Sequence, residues 1–109
     1  MDPELKAEIR RLVDDLVAER YDSLILDGRA GRVSAEGMRR VMHGYPATFV
    51  PLLEATPMDL YEIRAEPGCY LVDVSLRSVE EGQSDLVLTV HASPSESGYR
   101  VEMVDLYAH

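Results

Sequence analysis

Cys69-Tyr70-Leu71-Val72-Asp73-Val74-Ser75-Leu76-Arg77-Ser78 is the stretch that decides the fold. Its apolar residues recur at every second position: Tyr70, Val72, Val74 and Leu76. A period of two is that of a strand with one buried face, because successive side chains point to opposite sides of a sheet. The same alternation returns at Leu86, Leu88 and Val90, and again at Tyr99, Val101 and Met103. It begins upstream with Tyr61 and Ile63. The spacing therefore predicts strands over about 59–65, 69–78, 84–92 and 99–107, with these residues inward. The connections Glu66-Pro67-Gly68, Val79 to Gln83 and Ser93 to Gly98 are short and hold turn formers, so each reads as a hairpin link.

Upstream the period changes. Leu5, Ile9, Leu12, Val13, Leu16 and Val17 form one stripe at helical spacing, continued by Tyr21, Leu24 and Ile25. Asp2 is a ready cap, Pro3 suits the first helical position and Gly28 suits the end, which predicts a helix over about 3–26. Ser34 with Val33 and Met38 gives the cap and staple of a second helix over 35–44, closed by Gly44 and Pro46. Gly28 to Arg32 holds two glycines and two arginines without a phosphate-loop pattern, so it reads as a tight interhelical loop. Residues 46–57 carry Pro46, Pro51 and Pro57, which rule out a central strand and imply a covering loop or helical turn. The fold class is α+β: two N-terminal helices packed on a curved four-stranded antiparallel meander, in one domain spanning 1–109.

Placing Leu76 opposite Leu86 sets Arg77 against Asp85, Asp73 against Thr89 and Leu71 against His91. Placing Val90 opposite Val101 sets Thr89 against Glu102 and Val87 against Val104, and the first strand sets Glu62 against Asp73. The outer face then carries Glu62, Asp73, Glu102 and Thr89 centrally, with Leu71, Val87, Val104 and Leu106 around them. A purely solvated face carries few such aliphatics, and a second core face does not carry three carboxylates.

Eleven basic side chains face twenty acidic ones, a formal net charge of −9. That balance disfavours nucleic acid and anionic membranes, and suits a basic protein partner. No run approaches the ~18 apolar residues of a membrane span, and the acidic start Met1-Asp2-Pro3-Glu4 is unlike a signal peptide. With the single cysteine, Cys69, this makes the cytoplasm the expected compartment. His43, His91 and His109 show no metal-site spacing, so neither metal nor other cofactor is expected. Cys69 has no activating group near it in sequence, and reads as a packing or partly exposed residue. Asp73, His91 and Glu102 are the weak candidates for acid–base work, with Tyr61 or Tyr70 to orient a substrate. For partner binding the candidates are Glu62, Asp73, Glu80, Glu81, Asp85 and Glu102.

The order helix, helix, covering segment, meander resembles the cone-shaped nuclear-transport-factor-2-like or cystatin-like superfamily. Val72-Asp73-Val74-Ser75-Leu76 running into Glu80-Glu81-Gly82-Gln83-Ser84-Asp85-Leu86 resembles small bacterial domains of unknown function. The resemblance implies a binding module, and small acidic α+β proteins of this size also look like immunity proteins that neutralise toxins. Two functions follow as expectations. The first is a non-catalytic acidic protein that binds a basic partner. The alternative is a small-molecule-binding cone or small isomerase/hydratase-like enzyme. Pairing of the outer sheet faces into a homodimer is a third expectation.

Overall fold

The computed structural model describes residues 1–108; residue 109 lies outside the described residues. The elements are α1 (Pro3–Val17), α2 (Tyr21–Leu26), α3 (Ala35–Gly44), β1 (Phe49–Val50), β2 (Asp59–Glu62), β3 (Tyr70–Ser78), β4 (Gly82–Ser95) and β5 (Gly98–Ala108). The N-terminal helices are followed by a curled antiparallel sheet, an α+β fold.

The Asp2 carboxylate accepts the Glu4 N–H at 2.8 Å, and Leu5, Ile9, Leu12, Val13 and Leu16 are buried along one side of α1. The helix expected to run to residue 26 stops at Val17 and restarts at Tyr21. Glu19 is the cause. It takes φ 61°, the Arg20 N–H bonds the Asp15 carbonyl at 2.8 Å, and the Glu19 N–H bonds the Leu16 carbonyl at 3.1 Å. This is a Schellman stop with a glutamate at the position glycine usually fills. In α3 the Ser34 hydroxyl accepts the Gly37 N–H at 3.0 Å, and Met38 is buried as a staple requires.

The meander runs β2-β3-β4-β5, and β1 joins the same free edge of β3 that β2 uses. Residues 49–50, expected in a covering loop or turn, therefore form a two-residue edge strand, Phe49 against Ser78 and Val50 against Arg77. Val72, Val74, Leu76, Leu86, Leu88, Val90, Val101 and Met103 cluster with the α1 stripe, Leu24 and Met38 in the core.

Asp73 pairs with Thr89 and Leu71 with His91 as expected. Two irregularities alter the rest. A shift between Ser75 and Arg77 moves Arg77 opposite Gln83, not Asp85. The Ser95–Gly98 turn sets Val90 against Met103 and His91 against Glu102; Val104 is an extra residue in β5, so beyond it Thr89 faces Asp105 and Val87 faces Tyr107. Such bulges bend the bulged strand and increase its twist, which suits a curled sheet. The β4–β5 turn is also shorter than expected, because the strands continue to Ser95 and Gly98. In β2, Asp59 faces Asp73 and Glu62 faces Tyr70. Tyr61, expected inward, pairs with Leu71 and is exposed, because the register differs by an odd number of residues from the one read in sequence.

Candidate functional site

The edge of β3 holds a gap. β2 ends its pairing at Asp73 and β1 begins at Arg77, leaving Val74, Ser75 and Leu76 without a strand partner on that side. Residues 51–58 bow away from the gap, and Leu53, Ala55, Thr56 and Pro57 wall a cavity of about 610 Å³ over the outer sheet face. Its polar lining is Asp59 and Tyr61 from β2, Asp73, Ser75 and Arg77 from β3, and Gln83 from β4; Val87 contributes apolar surface. That volume falls within the range of small-molecule pockets, about 300–1,000 Å³.

Asp59 and Asp73 are direct cross-strand partners. Like charges placed so are unfavourable by a few tenths to about 1 kcal/mol. Thr89 steadies one of them: its hydroxyl donates to Asp73 Oδ1 at 2.6 Å. The Gln83 amide reaches the Ser75 hydroxyl at 3.5 Å. Arg77 forms no ion pair among the described residues, and neither do Asp59 and Asp73. The cavity thus presents two carboxylates and one guanidinium that do not neutralise one another by contact.

The remaining candidate residues separate. His91 and Glu102 lie at the other end of the outer face, with His91 Nε2 3.0 Å from Glu66 Oε1 and Nδ1 4.0 Å from Glu102 Oε1. Cys69 lies beside them: Glu66, Cys69 and His91 each offer a donor atom within 4.8 Å of the others. Spacing alone does not show this group because it joins the β2–β3 turn to a residue of β4. Glu80 accepts from the Thr48 N–H at 2.8 Å and the Thr48 hydroxyl at 2.9 Å, which hold its carboxyl below the usual range, the backbone bond most. Tyr45 donates to Glu81 at 3.3 Å. These two acids therefore clamp the β1 approach onto the β3–β4 hairpin. Asp85 is exposed on β4, and Glu62, expected beside Asp73, sits three residues along β2 from Asp73's actual partner.

The arginine-bearing loop is structural, as its pattern indicated. The Arg29 carbonyl accepts the Met103 N–H at 2.7 Å and Ala30 is buried, docking the loop onto β5. Arg29 also bridges Asp15 at 2.6 Å and Asp27 at 2.8 Å. Burial pushes the Asp15 carboxyl up, but hydrogen bonds and charge from Arg20 and Arg29 outweigh it and the net direction is down. Asp27 is lowered chiefly by its hydrogen bond from Arg29. His43 pairs with Glu19, far in sequence from His91. No described helix is long and apolar enough to cross a membrane.

Helices on one face of a curled sheet, with a charged cavity on the other, define a two-layer α+β domain with its candidate site outside the core. The chain belongs to the family described as "Domain of unknown function (DUF7668)", which matches residues 13–109. No curated protein and no solved structure matches it.

Proposed function

We propose that this chain is a ligand-binding domain whose outer-face cavity takes a short zwitterion. A cationic group lies against Asp59 and Asp73, and an anionic group against Arg77. The observation that carries this reading is charges of both signs lining one cavity without pairing. Unpaired charges at a partly desolvated site gain most from a ligand that satisfies each of them. Along β3, Asp73 and Arg77 are four residues apart, about 13 Å between backbones at ~3.3 Å per residue. Two side chains reaching inward from those ends leave room for a ligand of dipeptide length. Ser75, Thr56, Gln83 and Tyr61 supply neutral hydrogen-bonding groups for its middle. The resemblance to cone-shaped families that include small-molecule-binding domains supports the same class of function.

Calorimetric titration tests the reading with an uncapped dipeptide, a diamine and a dicarboxylate of similar length. The dipeptide binds best, and Asp73→Asn and Arg77→Gln each weaken it about tenfold or more, as expected for loss of a charge-assisted hydrogen bond. Glu102→Gln leaves it unchanged. Equal binding of all three ligands, or no binding of the dipeptide, rejects the proposal.

A second reading is favoured by the net charge of −9: an acidic, non-catalytic protein that engages a basic partner, in the manner of an immunity protein. Its association rate with such a partner falls steeply with added salt.

A further inference from the structure

We propose that Glu66, Cys69 and His91 form a binding site for a borderline divalent transition metal, Zn²⁺ foremost. The site is independent of the cavity and of the ligand proposed for it.

The turn between β2 and β3 fixes two of the donors. The Glu66 N–H bonds the Ile63 carbonyl at 3.1 Å, the Cys69 N–H bonds the Glu66 carbonyl at 2.9 Å, and the Ile63 N–H bonds the Cys69 carbonyl at 3.1 Å. Gly68 takes φ +81°, which permits this tight path. Glu66 and Cys69 are thereby held three residues apart at one end of the outer face. Leu71, two residues beyond Cys69, pairs with His91, so the imidazole comes from the adjacent strand to the same place.

The chemistry of the set is specific. One thiol, one imidazole and one carboxylate, with donor atoms within 4.8 Å of one another, match the ligand types of zinc sites. Bonds of about 2.0–2.3 Å in a tetrahedral shell place donors roughly 3.3–3.7 Å apart, so closure by about 1 Å completes the site. Such a movement is within reach of side chains that are half-buried or, for Glu66, exposed. Sulfur and imidazole donors disfavour Mg²⁺ and Ca²⁺, which take oxygen. Three protein ligands on an accessible face leave one position open to water or another ligand. Glu102, opposite His91 and 4.0 Å from its Nδ1, is placed to accept the second ring N–H while Nε2 faces the metal. Carboxylates in that position orient ligating histidines. Cys69 binds as thiolate, and its proton passes to solvent.

A simpler arrangement would hold the His91 imidazole between Glu66 and Glu102 and make no use of sulfur. The test separates the two. Tag-free protein is titrated with Zn²⁺ against a chromophoric chelator and, in parallel, with Co²⁺ followed by absorbance. One equivalent binds, Co²⁺ produces a sulfur-to-metal charge-transfer band, and Mg²⁺ or Ca²⁺ does not compete. Cys69→Ser and His91→Gln each weaken Zn²⁺ at least about tenfold, Glu102→Gln weakens it about tenfold through ring orientation, and His43→Gln has no effect. Circular dichroism confirms that each variant is folded, and Zn²⁺ protects Cys69 of the parent chain from alkylation. Undiminished affinity in Cys69→Ser, absence of the charge-transfer band, or an equal loss in His43→Gln overturns the proposal.

Discussion

Replacing Gly31 with alanine tests how the helical layer is fastened to the sheet. Gly31 has φ +59°, and a Cβ built there falls closer than 3.0 Å to the Met103 carbonyl oxygen, a backbone atom that cannot swing aside. Holding a residue with a Cβ in the left-handed region costs about 1–2 kcal/mol. Relieving the overlap by lifting the loop breaks the 2.7 Å bond from the Met103 N–H to the Arg29 carbonyl, worth about 1 kcal/mol. It also withdraws Ala30, 1% exposed, from the core. The sum is about 3 kcal/mol, a large share of the ~5–15 kcal/mol that stabilises an ordinary domain. At ~4 °C per kcal/mol for a chain near this size, Tm falls about 12 °C. Urea unfolding followed by circular dichroism measures it directly: the midpoint drops while the slope is unchanged. Gly44→Ala is the control. Nothing lies within 4 Å of a Cβ at Gly44, in the last position of α3, so that change is neutral or stabilising by up to ~1 kcal/mol. A cost below ~1 kcal/mol for Gly31→Ala would refute the docking of this loop on β5.

Three further substitutions probe the helical layer. Glu19→Gly relieves a left-handed glutamate at the end of α1 and raises stability by about 1 kcal/mol, measured by urea midpoint in a His43→Gln background where the exposed Glu19–His43 pair is already gone. Asp15→Asn and Asp27→Asn each lower stability at pH 7 by about 1 kcal/mol or less, since these carboxylates are only partly shielded. Both folded-state values lie below the ordinary one, so the stabilisation is present above about pH 4 and is lost as pH falls through the folded-state values. Urea midpoints of parent and variants therefore draw together as pH falls below about 4, and a difference that does not shrink with falling pH contradicts the Arg29 network.

The sequence made the alternating strands, the α1 stripe and the Ser34 cap legible because each is a local pattern with a physical period. What it concealed are single-residue departures from those periods. Glu19 occupies a helix stop that its residue type does not announce, since glycine usually fills that position. The tight turn at Ser95 and Gly98 moves β5 by two residues and the Val104 bulge by one more, so Asp105 stands at Thr89 in place of Glu102. The three acids expected at the centre of the outer face divide: Asp73 joins Asp59 in the cavity, Glu102 goes to His91 and Glu62 pairs with Tyr70, while Glu80 and Glu81 of the hairpin bind the β1 approach. The Cys69–His91 approach was within reach of sequence reasoning. The Leu71–His91 pairing was legible from hydrophobic matching, and Cys69 is two residues from Leu71, on the same face of an extended chain. Spacing along the chain does not reveal it, because the imidazole comes to Cys69 across the sheet.

The cavity follows from a surplus of chain. β1 and β2 pair with one edge of β3 in consistent antiparallel register, Val50 against Arg77 and Asp59 against Asp73. They behave as one edge strand that has been interrupted. Regular pairing between those points needs three residues, to face Val74, Ser75 and Leu76, yet residues 51–58 supply eight. Five are in excess and must leave the sheet plane. Pro51 and Pro57 stand at the two ends of the excess and have no N–H to offer β3, so the segment cannot settle back onto the edge by slipping in register. Leu52 is buried in the core and anchors the near end, which forces the rest outward, where Leu53, Ala55, Thr56 and Pro57 become the wall. The same excess leaves Asp59 beside Asp73 with the Arg77 end of the gap open. The mixed charge of the site is thus a consequence of where the edge strand is cut, and removing the five surplus residues would heal the strand and abolish the cavity together with the binding proposed for it.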